Sequence, residues 1–302
     1  ILHECAFPDR YGMTPVERTA YEKYDALCTV RAPFNLKSLQ SVKSPLKRKV
    51  QEGLVEQRAI FHRRSAEGSL RWVLCDFPTQ ASAQECGMSL GEYEDFIFKA
   101  CKLDTPDPVA AWKDLSASQD RIVSRLSAYT GIKYVSDGTD ISFSVKGRKW
   151  MNSDGKRNMP SGEIYTSPVE DSVNGKIRFS FPAVFMGEEV EGVTLEVKDG
   201  LVVKWTADRG KELLDEVFKI EGSRRFGEAA IGMNEGINRF TKNILFDEKT
   251  GGTIHMAIGA SYPETGGKNE SSLHWDLIND MRNGGKIFAD GVRVYENGRF
   301  VW

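Results

Sequence analysis

The stretch Thr253-Ile254-His255-Met256-Ala257-Ile258-Gly259 limits the possible folds of this chain more than any other. Side chains alternate in direction along a β-strand. Ile254, Met256 and Ile258 therefore share one face, and His255, Ala257 and Gly259 share the other. The apolar face asks for a core beneath a sheet. The opposite face offers one imidazole beside two residues with almost no side chain, which leaves room for something that is not protein. Downstream, His274 and Asp276 are again two apart and share a direction, with Trp275 opposite. Two imidazoles and a carboxylate on permissive backbone suggest a metal site, provided that the rest of the chain supplies further ligands.

Length and composition narrow the context. A chain of 302 residues, 40% hydrophobic and 28% charged, can bury a sizeable core and is expected to form about two domains. A formal net charge of −2 provides no basic excess to neutralise phosphates, so nucleic acid is not expected as a partner. The basic run Lys43 to Lys49 is short and reads as a solvated helix face. The cysteines (Cys5, Cys28, Cys75, Cys86 and Cys101) form no CxxC pair and fit no zinc spacing, so they read as thiols in a reducing compartment. No run of about 18 apolar residues marks a membrane span, and no signal peptide is evident. A cytoplasmic protein with no membrane partner is expected. The chain opens on Ile1 without methionine and reads as N-terminally incomplete.

Taken in order, the first part mixes helix and strand. Ala26 to Val30 reads as a buried strand, Pro45 to His62 as a charged helix, and Arg71 to Phe77 as a strand ended by Pro78. His3 and His62 lie in polar surroundings and read as ordinary structural or surface histidines. Ser89-Leu90-Gly91-Glu92 has the capping-box pattern, and Asp107-Pro108 is an N-cap followed by proline at the first helical position. From Gly131 the style changes. Asp140 to Val145 and Lys176 to Phe181 alternate strictly, Lys198-Asp199-Gly200 joins two strand-like runs as a hairpin signal, and Lys211 to Ile220 reads as a helix. A second hairpin closes the chain around Asn297-Gly298. The expected fold class is α/β: a partial N-terminal α/β domain over residues 1–135, then a strand-rich α+β metal-binding catalytic domain over 136–302.

Two glutamates in the second part stand out. Glu163 follows a Pro-Ser-Gly turn at the start of a predicted strand, where local chemistry alone reads it as a solvated turn residue. Glu228 lies in the small, apolar run Phe226 to Gly232, where a buried carboxylate needs a partner. A metal or the neighbouring Arg224 and Arg225 would serve. The segments NMPSGEIYTSP (158–168), RRFGEAAIGMN (224–234), FDEKTGGTIHMAIGASYPETGG (246–267) and LHWD (273–276) together resemble, in order, the motifs of the thermophilic metallo-aminopeptidases, the M29 family of aminopeptidase T and aminopeptidase S type. The resemblance runs from about residue 14 to the C-terminus. It implies Glu163, Glu228, His255, His274 and Asp276 as ligands of two divalent metal ions, and Tyr262 as an active-site tyrosine. It also implies a homodimer, and roughly 60 to 70 further residues of α/β structure before Ile1. Met233 stands where family members often have threonine, and no ligand is lost with it.

The chemistry of these residues agrees with that implication. Imidazole and carboxylate ligands without thiolate suit zinc, cobalt or manganese. Three carboxylates against two divalent ions leave one positive charge, which favours a bound hydroxide at neutral pH, and either Glu228 or Asp276 could bridge the pair. The expected function is a metal-dependent aminopeptidase, a hydrolase that removes N-terminal residues from peptide substrates with a free N-terminus through a two-metal-bound water. In that reading Tyr262 donates to the developing oxyanion, Glu228 is the second catalytic residue, and Asp280 either orients His274 or caps a helix. The alternatives are a dinuclear metal phosphoesterase and a non-catalytic metal-binding module. A serine nucleophile elbow at Ser261 is broken by Pro263, and a P-loop at Gly267-Lys268 lacks its Ser or Thr at position 269.

Overall fold

The computed structural model describes residues 12–38, 42, 46, 53–185 and 187–302, without the His62 side chain. The readings made for Ile1 to His3, Cys5, Lys43 to Lys49 and the His62 imidazole lie outside the described residues. The chain divides into two compact units, Ile1–Ser82 and Ala83–Trp302. Both mix helix and strand, so the fold is of the α/β class. The stylistic change near Gly131 falls inside the second unit, where long helices give way to strands.

In the first unit, helix α1 (Pro15–Lys23) starts from a capping box in which Thr14 and Glu17 satisfy each other's backbone amides. Strands β1 (Ala26–Arg31) and β2 (Arg71–Asp76) pair in parallel, and helix α2 (Val55–Ala66) lies between them in sequence, overlapping the helix expected over Pro45 to His62. Arg64 of α2 is buried. Its guanidinium donates to the carbonyls of Tyr21, Tyr24 and Ser69 at 2.8–2.9 Å, so the C-terminal ends of α1 and α2 share one cation.

The second unit opens with two helices. Helix α3 (Leu90–Ala100) carries the expected Ser89–Glu92 capping box. Helix α4 (Pro108–Leu126) carries the expected Asp107 cap with Pro108 at its first position and buries Gln119, Ile122 and Leu126. The strands follow as β3 (Gly131–Ser136), β4 (Thr139–Ser144), β5 (Met151–Ser153), β6 (Asn158–Met159), β7 (Glu163–Thr166), β8 (Asn174–Arg178), β9 (Ala183–Phe185), β10 (Glu188–Val190), β11 (Thr194–Lys198) and β12 (Leu201–Thr206). After helix α5 (Lys211–Val217) come β13 (Phe226–Gly232), the short helix α6 (Ile244–Asp247), β14 (Thr253–Gly259), β15 (His274–Asp280), β16 (Lys286–Ala289), β17 (Val292–Glu296) and β18 (Arg299–Phe300).

Thirteen of these sixteen strands build an eight-stranded sheet in the order β12-β11-β8-β4-β3-β16-β17-β18 and a five-stranded sheet in the order β15-β14-β13-β7-β5, and β9 pairs with β10 alone. Tyr134, Ile141, Ile177 and Leu195 from the larger sheet meet Phe226, Ile254, Met256, Ile258, Trp275 and Leu277 from the smaller in one buried core. Each of these side chains contributes about 1.5–3 kcal/mol by leaving water. One face of the five-stranded sheet is thereby committed to the core. The alternation read from Thr253 to Gly259 is the observed one: its apolar set faces this core and its histidine set faces away.

Candidate metal centre

The face of the five-stranded sheet that looks away from the core carries the candidate site. Register brings its residues together. His255 lies opposite Ala230, which in turn lies opposite Tyr165; Asp276 lies opposite Ala257, His274 opposite Gly259, and Glu163 opposite Gly232. Ala230 beside His255, and Ala257 beside Glu228 and Asp276, keep that part of the face clear of competing bulk. Glu228 reaches this face through an irregularity. In a regular strand Phe226 and Glu228 would point the same way, yet Phe226 is buried in the core. A bulge between them sets Phe226 opposite Ile258 and Glu228 opposite Ala257, with Gly227 as the extra residue. A Cβ at Gly227 would lie 2.1 Å from the Ala260 carbonyl oxygen, so only glycine fits there.

The structure brings all five sequence-predicted residues to one cluster. His255 Nε2 lies 3.4 Å from Glu163 Oε2, 3.8 Å from Glu228 Oε1 and 4.0 Å from Asp276 Oδ1. His274 Nε2 lies 3.1 Å from Glu228 Oε2 and 3.6 Å from Asp276 Oδ1. The ligand atoms of Glu228, His274 and Asp276 are all within 4.8 Å of one another. Glu163, Glu228, His255 and Asp276 are buried. Buried polar atoms ordinarily find hydrogen-bond partners, but Glu163 Oε2, His274 Nε2 and Asp276 Oδ1 have none of good geometry. Three orphaned acceptor or donor atoms converging on one small volume, with no thiolate among them, fit a divalent cation.

His274 is oriented for that role. Its Nδ1 contacts the Ala260 carbonyl at 2.8 Å. A carbonyl can only accept, so Nδ1 carries the proton, and in the neutral ring the Nε2 lone pair faces the cluster. Burial pushes the Glu163 carboxyl up, against the opposing charges of Lys249 and His255. Burial works against ionised Asp276 too, but with His274 protonated the charge of that ring outweighs it and holds the carboxyl down at about 2. Burial disfavours protonated His255, yet the neighbouring carboxylates of Glu228, Glu163 and Asp276 raise it to about 9. Protons and divalent ions compete for these same atoms.

Tyr262 stands at the rim, at the start of a short 3₁₀ turn over Pro263–Thr265. Its ring centroid is 4.8 Å from the His274 ring and 5.4 Å from the Tyr165 ring. Although 36% of its surface is exposed, its surroundings are dense enough that desolvation, then the Glu228 and Asp276 charges, raise the phenol well above its ordinary value.

Several expectations need correction. Arg224 donates to the Val202 carbonyl and Arg225 to the Glu170 carbonyl, so neither is the partner of Glu228. Asp280 neither orients His274 nor caps a helix; it forms a two-pronged pair with Arg282 within β15 and the turn that follows. Gly259 does not open space beside His255, because a Cβ there would meet the Leu273 carbonyl oxygen at 2.1 Å. Its role is close backbone approach. Sequence reasoning also passed over Gln119, whose fully buried amide donates to the Glu163 carbonyl at 2.9 Å and ties α4 to the start of β7. It passed over Glu248 and Lys249 as well, although both lie in the FDEKTGG segment just before the His255 strand.

The family model of the thermophilic metalloproteases (M29) matches residues 11–300. The chain belongs to this family. This M29 chain is 32% identical to aminopeptidase 2 of Geobacillus stearothermophilus, in a match that covers 76% of this chain and 65% of that protein. It is 31% identical to aminopeptidase PepS of Streptococcus thermophilus, with 78% and 64% covered, and 28% identical to aminopeptidase T of Thermus thermophilus, with 76% and 65% covered. The chain thus spans about 65% of the length of the curated relatives it matches. Among solved structures, AmpT from Thermus thermophilus superposes with a TM-score of 0.83 at 23% identity, over 98% of this chain and 80% of that one. A 2,5-dihydroxypyridine dioxygenase from Pseudomonas putida KT2440 gives 0.53 at 13% identity, over 95% and 94%. At these identities the likeness is one of fold, and the same fold hosts different chemistries.

Proposed function

We propose that this chain carries the catalytic centre of a metal-dependent aminopeptidase, with Glu163, Glu228, His255, His274 and Asp276 holding two divalent ions. The observation that carries this reading is the gathering of three orphaned polar atoms, Glu163 Oε2, His274 Nε2 and Asp276 Oδ1, with His255 Nε2 and the Glu228 carboxylate in one cluster. The relatives named as aminopeptidases support the substrate class, peptides with a free N-terminus. All five residues belong to the proposed catalytic part, residues 136–302. A homodimer, implied by the family resemblance, and a cytoplasmic location, expected from the sequence, are part of the same proposal. Among the described residues no helix is long and apolar enough to cross a membrane.

When bound, zinc, cobalt or manganese ions would supply a water of lowered pKa and polarise the scissile carbonyl. The residues divide the remaining work. Glu228 presents one oxygen to each imidazole, which favours it over Asp276 as the bridging carboxylate. The Ala260 carbonyl keeps the His274 proton on Nδ1. Tyr262, lying against the His274 ring at the rim of the cluster, would donate its O–H to the oxygen that gains charge. Tyr262→Phe is expected to lower kcat by about 10²–10³-fold, the cost of losing one such donor, with zinc content per chain unchanged. A loss of zinc in that variant would show the tyrosine to be structural.

The functional test offers zinc-loaded protein Leu- and Arg-p-nitroanilide, the N-acetylated form of each, and p-nitrophenyl phosphate. Hydrolysis of the free-amine substrates alone is the expected result. Equal cleavage of the acetylated amides would remove the aminopeptidase reading, and turnover of the phosphate alone would establish a phosphoesterase.

A further inference from the structure

Lys249 is the largest charged side chain in the unit with no exposure at all. A lysine is almost never fully buried without partners, and it has two. Its ammonium forms a short hydrogen bond to Glu248 Oε1 and lies 3.6 Å from Glu163 Oε1. The backbone leaves it little freedom: its amide donates to the Phe246 carbonyl at 3.0 Å, and its carbonyl accepts from the Asn234 amide at 2.9 Å. The contact with Glu163 is one-sided. Oε1 faces Lys249, while Oε2 lies 3.4 Å from His255 Nε2 with no hydrogen-bond partner of its own.

Charge makes the arrangement more than a packing detail. Glu248 is a fourth carboxylate behind the cluster, and its side chain is only 14% exposed. Burial pushes both Glu248 and Glu163 upward, and in each case the Lys249 charge is the chief opposing influence. Without Lys249 the group would present four carboxylates to incoming ions. With it, the sum returns to that of the three proposed ligand carboxylates, Glu163, Glu228 and Asp276.

We propose that Lys249 is an internal counter-cation of the metal centre: it neutralises Glu248 and, 3.6 Å from Glu163 Oε1, competes electrostatically with the divalent ions. This rests on the metal-centre reading above. Lys249 touches no substrate; it acts on the centre through its charge. Its removal has two opposite consequences. The zinc-free protein is left with a buried, uncompensated acid and becomes less stable. Zinc, relieved of a nearby positive charge, binds more tightly.

The test titrates wild type, Lys249→Met, and the double variant Glu248→Gln with Lys249→Met using zinc against a chelator of known affinity, and melts each protein with and without zinc. Lys249→Met is expected to bind zinc about tenfold or more tightly than wild type, to melt lower without zinc, and to recover most of that difference when zinc is added. The double variant removes one charge of each sign and is expected to match the wild-type zinc affinity. Unchanged or weaker zinc binding by Lys249→Met, with the same melting deficit in both conditions, would overturn the proposal and leave Lys249 a structural residue. If Lys249→Met does not fold without zinc, the double variant decides: folding with wild-type affinity supports the proposal, and any other behaviour overturns it. Absence of zinc binding by wild type would overturn the metal-centre reading and this one with it.

Discussion

Glu228→Gln is expected to slow hydrolysis of Leu-p-nitroanilide by about 10³-fold or more, because polarisation by a bound ion supplies several kcal/mol of transition-state stabilisation. The same variant should lose at least one zinc per chain by elemental analysis. Glu228 is singled out because its two oxygens face different histidines, at 3.8 Å from His255 and 3.1 Å from His274. Glutamine preserves the shape and volume of the side chain, so the core side of β13 is undisturbed and the protein should stay folded by circular dichroism. Its neutral amide presents one acceptor in place of two charged ones. A Glu228→Gln protein with full zinc content and wild-type turnover would mean that this carboxylate has no part in the centre.

Gly227→Ala is expected to cost about 3 kcal/mol or more of stability, the upper range for overpacking, although the substitution adds one methyl group. The three atoms nearest the new Cβ are all backbone, the Ala260 carbonyl oxygen and carbon and the Gly259 carbonyl oxygen, at 2.1–2.6 Å. None can swing aside as a side chain would. Relief requires β13 to move away from the start of the loop that carries Tyr262, or the bulge to be lost. Losing the bulge shifts the side-chain phase and turns Glu228 toward the face that Phe226 occupies. Zinc binding by the folded protein should weaken by about tenfold or more, the scale seen when groups that orient a metal ligand are removed. Urea unfolding and zinc titration measure both effects. Wild-type values in the two experiments would show that the bulge is not what aims Glu228.

These residues also show which parts of the molecule the sequence could reveal. The phase of Thr253–Gly259 was legible because alternation is regular there and the apolar set is complete. His274 and Asp276 followed by the same count of two. Glu228 was conspicuous only as an acid in a small, apolar run; its direction depends on a bulge, and the two-residue period carries no mark of where a strand takes an extra residue. Gly227 was the one trace of it. Arg224 and Arg225 misled because adjacency in sequence suggested adjacency to Glu228, whereas both guanidiniums turn away to backbone carbonyls. Lys249 was missed for a related reason. A Glu-Lys pair before Thr-Gly-Gly has the composition of an exposed turn, and only the pairing of Asn234 with the Thr250 segment carries it inside. The strand hairpins around Asp199-Gly200 and Asn297-Gly298 came through because each rests on local pattern; the packing of two sheets on one core does not.

The order of strands in the smaller sheet has a consequence for how the centre assembles. β13, β14 and β15 follow one another along the chain and pair as neighbours, so Glu228, His255, His274 and Asp276 are gathered by short-range folding. Glu163 is different. Between β7 and β13 the chain leaves to build β8 to β12 and α5 before it returns. Closing that excursion carries the largest loop entropy of any connection in the sheet, and pairings so distant in sequence form slowly. Glu163 therefore reports on completed folding. A chain that has reached the other four residues but not this one holds an open half-site, and the β7–β13 seam is the step that makes the two halves a single centre.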